Sequence, residues 1–409
     1  MNDEYAVPPD LSSDEKINFF NIKQQQPYDF KVRYAEIRAW EFYDECHKRG
    51  KNCYVSVGGL DSITLLIFLR HIGIDVPAVS ISMLEDKSIQ AIHKQLGVTS
   101  LKPLKSKVEV LKEFGYPIIS KQIAKEISYL QNPTENNARV RQLIFDGGDR
   151  ILTGRASWKM PLKWLKKFGG ADEQGKALGY AEAPFKVSDK CCEFLKEKPC
   201  MQYEKENNMA PYLGLMASEG GRREINLKLH GCNYFGKDRY RSCPFAIFSR
   251  QDLLQLAVDL KVPVPEIYGE IKVDEFGMLY TTRAQRSGCS MCGFGIHLDK
   301  RPHSFDLLYK ENPKEWEFWM YTQKWGEVLD YIEVEWRNPE QLNWDKAYDL
   351  SAGRIKDKVL CVIDNQPFTN LAEAARYCGV TRQAAQRGRR FNNKTLGGKP
   401  VIWTNKNEE

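Results

Sequence analysis

The sequence predicts an α/β fold followed by a small helical C-terminal module, and three observations carry this expectation. In YVSVGGLDSITLLIFLR, Tyr54 to Arg70, a β-branched and aromatic run meets two glycines and continues as an apolar run of helical length. The chain has 409 residues, 42% of them hydrophobic, which is enough for substantial cores in two or three domains. Its basic C-terminal end has an apolar pattern that fits two short helices joined by a GVT turn.

Taken in order, residues Lys31 to Arg49 read as one amphipathic helix that packs on the α/β core. CYVSV reads as a short buried strand, and DSITLLIFLRHIG as a helix capped by Asp61 or Ser62. Gly58 and Gly59 form the turn between them, which lets backbone N–H groups approach a ligand and aims a helix N-terminus at an anion. A Gly-Gly pair alone also fits a turn that binds nothing; Asp61 and Ser62 beside it point to phosphate. Farther on, SISMLEDKSIQ opens a helix with Glu85 and Asp86, acids suited to capping it. The polar stretch from Gly147 to Pro184 reads as a substrate-facing insertion, and Asn312 to Trp325, with aromatics at helical spacing, as a buried helix.

The N-terminus MNDEYAVPPDLSSDEK has acids and prolines where a secretion signal needs a basic start and an apolar core, and the longest apolar run, ITLLIFL, is too short to span a bilayer. The expected location is therefore cytoplasmic, with no membrane partner. Eleven cysteines in that setting read as metal or cluster ligands and core thiols, not disulfides. Cys191 and Cys192 are adjacent, and Cys289 and Cys292 form a CxxC on a glycine-rich turn, so a four-cysteine site is expected. Cys200 and Cys243 compete with Cys191 for the fourth place. Spacing leaves the metal open between an iron–sulfur cluster and zinc, although four residues between Cys292 and His297 are too few for a zinc finger. GADEQGKA, Gly170 to Ala177, lacks the Ser or Thr of a Walker loop, and the histidines show no catalytic spacing.

VGGLDS resembles the SGGxDS loop of the PP-loop ATP pyrophosphatases, with Val57 in place of the first serine and Ser56 as the nearby hydroxyl. APFKVSDKCC, then CSMC 97 residues after Cys192, resembles the cysteine arrangement of the iron–sulfur adenylylsulfate reductases. Between them YLGLMASEGGRR is similar to the arginine loop of sulfonucleotide reductases. The resemblance, to the phosphoadenosine-phosphosulfate-reductase-like family, spans about Cys53 to Pro302. It implies a PP-loop (adenine nucleotide alpha hydrolase-like) parallel sheet flanked by helices. It also implies ATP and Mg2+ held by Ser56, Gly58, Gly59, Asp61 and Ser62, phosphate charge balanced by Arg222 and Arg223, and a [4Fe–4S] cluster on Cys191, Cys192, Cys289 and Cys292. Asp61, Ser62 and Arg222 are the implied catalytic residues.

The reductases of that family use a cysteine in a C-terminal ECGxH segment, which this chain lacks; Cys361 and Cys378 sit in apolar slots and read as core thiols. The expected reaction is therefore ATP-dependent adenylation and sulfur transfer to a nucleic acid or nucleotide, aided by a sulfur donor or reductase protein. A sulfonucleotide reductase and a non-catalytic nucleic-acid-binding protein on a degenerate loop are the alternatives. The expected domains are a helical segment 1–48, a nucleotide-binding domain 49–230, a CxxC lobe 231–350 and a basic module 356–409. Residues 355–409 hold ten Lys and Arg against five Asp and Glu, so nearly all of the net +6 is local. FTNLAEAARYCGVTRQAAQRGRRFNN, with Thr369 as cap, resembles the helix-turn-helix repeats of intron-encoded nucleases. Arg382, Gln383, Gln386, Arg387, Arg389 and Arg390 on its second helix suit phosphate and base contacts.

Overall fold

The run from Asn52 forms β1 (Asn52–Ser56), with Cys53, Tyr54 and Val55 buried, and continues through the glycine turn into the helix Leu60–His71. This is a computed structural model that describes residues 11–147, 159–168, 170–172, 174, 183–237, 239–274, 277–285, 287–289, 291–342, 344, 361–363, 366–368, 371–390 and 393–403. Most of the expected insertion between Gly147 and Pro184 lies outside them.

The strands that follow are β2 (Ala78–Ser80), β3 (Thr99–Ser100), β4 (Ile118–Ile119), β5 (Met209–Leu213), β6 (Asn233–Phe235) and β7 (Tyr240–Ser242). A six-stranded sheet runs β3-β2-β1-β5-β7-β6, parallel throughout except for the antiparallel edge strand β6. The fold is thus α/β, a mostly parallel central sheet flanked by helices. Strands buried on both faces need apolar side chains throughout, as CYVSV supplies. One flanking helix, Tyr28–Lys48, buries Tyr34, Ala35, Ala39 and Phe42 against the sheet, close to its expected bounds.

Among the described residues from 20 to 336 there are two large cores and a small cluster of Val110, Cys191 and Leu195. One large core joins residues 20–89 to 210–268 around the sheet; the other large core joins 111–187 to 291–336 and is rich in tryptophan, with Trp164, Trp316, Trp319, Trp325 and Trp336. Each draws on both sides of residue 230, so a boundary between 230 and 231 separates neither. The stretch Asn312 to Trp325 is largely helical, as Pro313–Glu317 and a π-turn Phe318–Thr322. It buries Trp316, Trp319 and Met320 but leaves Tyr321 exposed.

The second core depends on a short scaffold. Tyr116 bridges Val187 in parallel, and β4 pairs in parallel with β10 (Gly293–Phe294); between β7 and β10 lies a small hairpin, β8 (Ile271–Val273) with β9 (Leu279–Thr281). Gly115, at φ +100°, lets the chain pass Lys186 where a Cβ would lie 2.2 Å from its backbone. Residues 115–119 therefore hold the segment before Cys191 on one side and the segment after Cys292 on the other.

The C-terminal module differs from the expected helical domain. Its helices Leu371–Tyr377 and Arg382–Arg390 are joined through Gly379 at φ +65°, but they accompany a four-stranded sheet. That sheet is ordered β12 (Gln366–Phe368), β11 (Cys361–Ile363), β14 (Lys399–Trp403), β13 (Thr395–Leu396). Strands of two to five residues leave little periodicity to read. Cys361 and Cys378 are buried in the module's own core, and Thr369 lies outside the described residues. No helix among the described residues is long and apolar enough to cross a membrane.

Candidate functional site

The sheet has β2 on one side of β1 and β5 on the other, so the order of strands reverses at the end of β1. Crevices beyond the carboxyl ends of strands at such a switch point are where open parallel sheets bind ligands. Val57 continues the strand, its N–H bonding Val79 O at 2.8 Å, and its side chain is buried in the sheet core. The valine that replaces the loop serine is therefore an anchor and faces no ligand. Ser56 does not substitute for it, because its hydroxyl bonds Cys200 on the other face of the strand.

Beyond Val57 the loop is knitted by its own side chains. Gly59, not Asp61 or Ser62, is the N-cap residue of the helix Leu60–His71. Ser62 turns back: its Oγ accepts from Gly58 N at 2.7 Å and donates to Gly59 O at 3.0 Å. Leu60 N–H donates to Tyr268 Oη at 3.2 Å, and that hydroxyl shares a hydrogen bond with Ser287 Oγ at 2.7 Å. Burial raises the pKa of Tyr268, so it stays a neutral phenol. Beneath the loop, His93 Nε2 donates to Gly58 O at 2.8 Å while Nδ1 accepts from Ser82 Oγ at 2.9 Å. Burial lowers the His93 pKa and holds this neutral tautomer.

Asp61 leads the helix and pairs with Arg250, whose other nitrogen donates to Gln285 O at 3.2 Å. Arg250 is the first residue of the helix Arg250–Asp259, held in place by the Ser249–Asp252 capping box. The arginine loop leaves the end of β5, whose Leu213 is in register with Ser56. It therefore starts at the same edge of the sheet as the glycine turn. Arg223 pairs with Glu219, whose side chain is nearly buried, so it is not a free phosphate ligand; the Arg222 side chain lies outside the described residues.

The four expected cysteines come together. Cys191, Cys192, Cys289 and Cys292 line one small cavity with Lys107, Pro117, Leu195, Lys196 and Phe294. Burial pushes the Cys191 thiol up to about 12 and also raises Cys192 and Cys292. Among the described residues, no three His, Cys, Asp or Glu converge closely enough to hold a single metal ion. The competitors are elsewhere: Cys200 sits beside Ser56 and Tyr54, and Cys243 is sealed in the sheet core.

One ion pair joins the two places. Lys196, on the cavity wall, donates to Glu85 Oε1 at 2.6 Å, and that oxygen would stand 3.7 Å from a Cβ on Gly58. Burial opposes the Lys196 charge, but Cys289 and Glu85 outweigh it and raise the pKa. Glu85 is thus not the cap its position suggests: Asp86 caps Lys87–Gln95 by accepting from Ser88 N, and Glu85 turns inward. Sequence reading missed Arg250, Tyr268, His93 and Lys196. Only Arg250 carried a local sign, the Ser–x–x–Asp cap around it.

On Arg382–Arg390, Gln383, Gln386 and Arg387 are exposed, Ala385 is fully buried and Arg389 turns inward, its Nε buried and without a partner among the described residues. At 100° per residue, Arg389 shares the inner face with Ala385, so it does not join the outer set. The side chains of Arg382 and Arg390 lie outside the described residues.

No family model matches this chain, and no curated protein matches it. Among solved structures it is similar to the crystal structure of phosphoadenylyl-sulfate (PAPS) reductase from Candida auris in a phosphate complex. The identity is 11% and the TM-score 0.29, over 67% of this chain and 93% of that one. At that score the likeness assigns neither substrate nor residue roles.

Proposed function

We propose that this chain is a nucleotide-dependent enzyme in which an ATP-binding loop and a metal-bearing cysteine site act on one substrate, and that the reaction is activation and sulfur transfer to a nucleic acid or nucleotide. The observation that carries the reading is the Glu85–Lys196 pair, which ties the cavity of four cysteines to the glycine turn. A site for phosphate alone would have no use for that adjacency.

The residues suit the groups. In the turn, the N–H groups of Gly59 and Asp61 have no partner among the described residues and are open to phosphate, and the carboxylate of Asp61 can take Mg2+ on leaving Arg250, whose guanidinium then faces phosphate oxygen. At the cavity, four thiols beside the buried ammonium of Lys107, unpartnered among the described residues, fit an anionic [4Fe–4S] cluster on Cys191, Cys192, Cys289 and Cys292, whereas a single zinc ion, the other metal the spacing allows, needs its ligands closer together than these stand. When bound, a cluster held by all four cysteines would supply a centre able to pass electrons. In the reaction a substrate oxygen attacks the α-phosphorus, pyrophosphate leaves, and a hydrosulfide donor displaces AMP by forming C–S as C–O breaks. The chain holds phosphates, orients Mg2+ and excludes water.

A sulfonucleotide reductase needs a mobile thiol to accept the sulfo group. Among the described residues the two cysteines beyond Cys292, Cys361 and Cys378, are buried in the C-terminal core. The exposed polar side chains of Gln383, Gln386 and Arg387 suit a nucleic-acid partner.

The test is to incubate the anaerobically purified chain with ATP, Mg2+, hydrosulfide and mixed cellular RNA or DNA. AMP and pyrophosphate formation that depends on nucleic acid and is lost in Asp61→Asn supports the reading. Sulfite release from a sulfonucleotide, abolished by Cys289→Ser, would replace it with the reductase.

A further inference from the structure

We propose that Lys107 is the fixed counter-charge of whatever anion fills the four-cysteine cavity, and that it sets the reduction potential there. This rests on the cluster reading above and goes beyond it by giving a role to a residue outside any motif.

Among the described residues the buried Nζ of Lys107 has no hydrogen-bond partner, although the residue as a whole is partly exposed. Lys107 is the first residue of the helix Lys107–Phe114, where the helix dipole disfavours a cation, and the capping box is made by Ser106 and Glu109. Trp319 lies with its ring centre 5.6 Å from Nζ, a weak attraction that does not replace a counter-ion. The neighbouring lysines each have an acid, Lys196 with Glu85 at 2.6 Å, Lys198 with Glu193 at 3.0 Å and Lys121 with Glu197 at 3.6 Å, even where they also bond a cysteine, as Lys196 does Cys289 and Lys121 does Cys192. A buried ammonium with no acid is costly, and what it faces is the cavity lined by Cys191, Cys192, Cys289 and Cys292. Thiolates around a metal or cluster provide the missing negative charge.

The electrostatic consequence is directional. Reduction adds an electron, so a fixed positive charge beside the site favours the reduced state and raises its potential. Lys196 shares its charge with Glu85 and the loop; Lys107 has no such tie, so its effect does not depend on nucleotide.

The test uses the full chain purified without oxygen as wild type, Lys107→Met and Lys107→Arg. Iron, acid-labile sulfide and circular dichroism are measured, followed by a redox titration monitored by visible absorbance. The expected result is equal iron and sulfide in all three, a midpoint shifted to more negative values in Lys107→Met, and a midpoint near wild type in Lys107→Arg. Loss of the cluster from folded Lys107→Met but not from Lys107→Arg supports the same role. Equal midpoints in all three, or loss of the cluster from both folded variants, would overturn it. If Lys107→Met does not fold, Lys107→Gln takes its place. Wild type without iron and sulfide defeats the cluster reading itself. The counter-charge claim falls with it, whereas equal midpoints in a chain that carries the cluster overturn the counter-charge claim alone.

Discussion

The phenol of Tyr268 accepts the amide of Leu60 at 3.2 Å, across 208 residues of chain, and so occupies one of the N–H groups that the glycine turn would offer to phosphate. Phosphate and Tyr268 compete for the same donor. Tyr268→Phe keeps the ring and removes the competitor. ATP binding, measured by calorimetry, should tighten several-fold, while unfolding in urea shows a loss of about 1 kcal/mol for the missing hydrogen bonds. Weaker binding would mean that the phenol shapes the turn and does not block it.

Gly59 is fixed by the same contact. A Cβ there would lie 2.2 Å from Tyr268 Oη and 2.7 Å from Ser287 Oγ. Gly59→Ala should cost about 1–3 kcal/mol by overpacking. In a Tyr268→Phe background the cost should shrink, because the nearest atom is gone; strictly additive losses in the double variant would refute the contact.

How much of this was readable is a matter of distance along the chain. The strand, two glycines and apolar helix lie within about twenty residues, so periodicity showed them, and the paired cysteines announced themselves by residue type. What gathers those cysteines, the segment 115–119, is too short to carry a pattern, and its partners Val187 and Gly293 are far away. Glu85 misled because an acid before a helix reads as a cap, whereas its neighbour Asp86 does the capping. Arg389 misled because counting arginines ignores which face of the helix Ala385 buries.

His93 makes the turn sensitive to acid. Its folded pKa lies below the ordinary 6.5 because it is buried, opposed by Gly58 O and Glu85, with Lys196 adding to the lowering. The unfolded chain therefore binds more protons between the two values. The contribution of neutral His93 is complete above pH 6.5 and is lost as pH falls through the lowered folded value. Stability followed by urea unfolding from pH 7.5 to 5 should fall less in His93→Gln than in wild type; identical slopes would assign the loss to other groups.

Away from the site, Lys31 Nζ and Asp252 Oδ2 form a buried pair at 2.7 Å that joins the helix Tyr28–Lys48 to the helix bearing Arg250. Lys31→Met leaves Asp252 buried without its cation and should cost about 3–5 kcal/mol. Because Asp252 also closes the cap ahead of Arg250, ATP affinity should fall with stability. A stable variant with unchanged ATP binding would show that Asp252 is satisfied by Ser249 alone.

The C-terminal helix separates two arginines by burial. Arg387 is exposed on the outer face with Gln383 and Gln386, while Arg389 has its Nε buried beside Cys361. If the module binds nucleic acid through the outer face, Arg387→Ala should weaken binding evenly across sequences and reduce the slope of log affinity against log salt by about 1, one phosphate contact fewer. Arg389→Ala should instead lower the unfolding midpoint of the module and leave that slope unchanged wherever it remains folded. Titrations by fluorescence anisotropy at several salt concentrations distinguish the two. Equal slopes for wild type and Arg387→Ala would remove this face from the proposed interface.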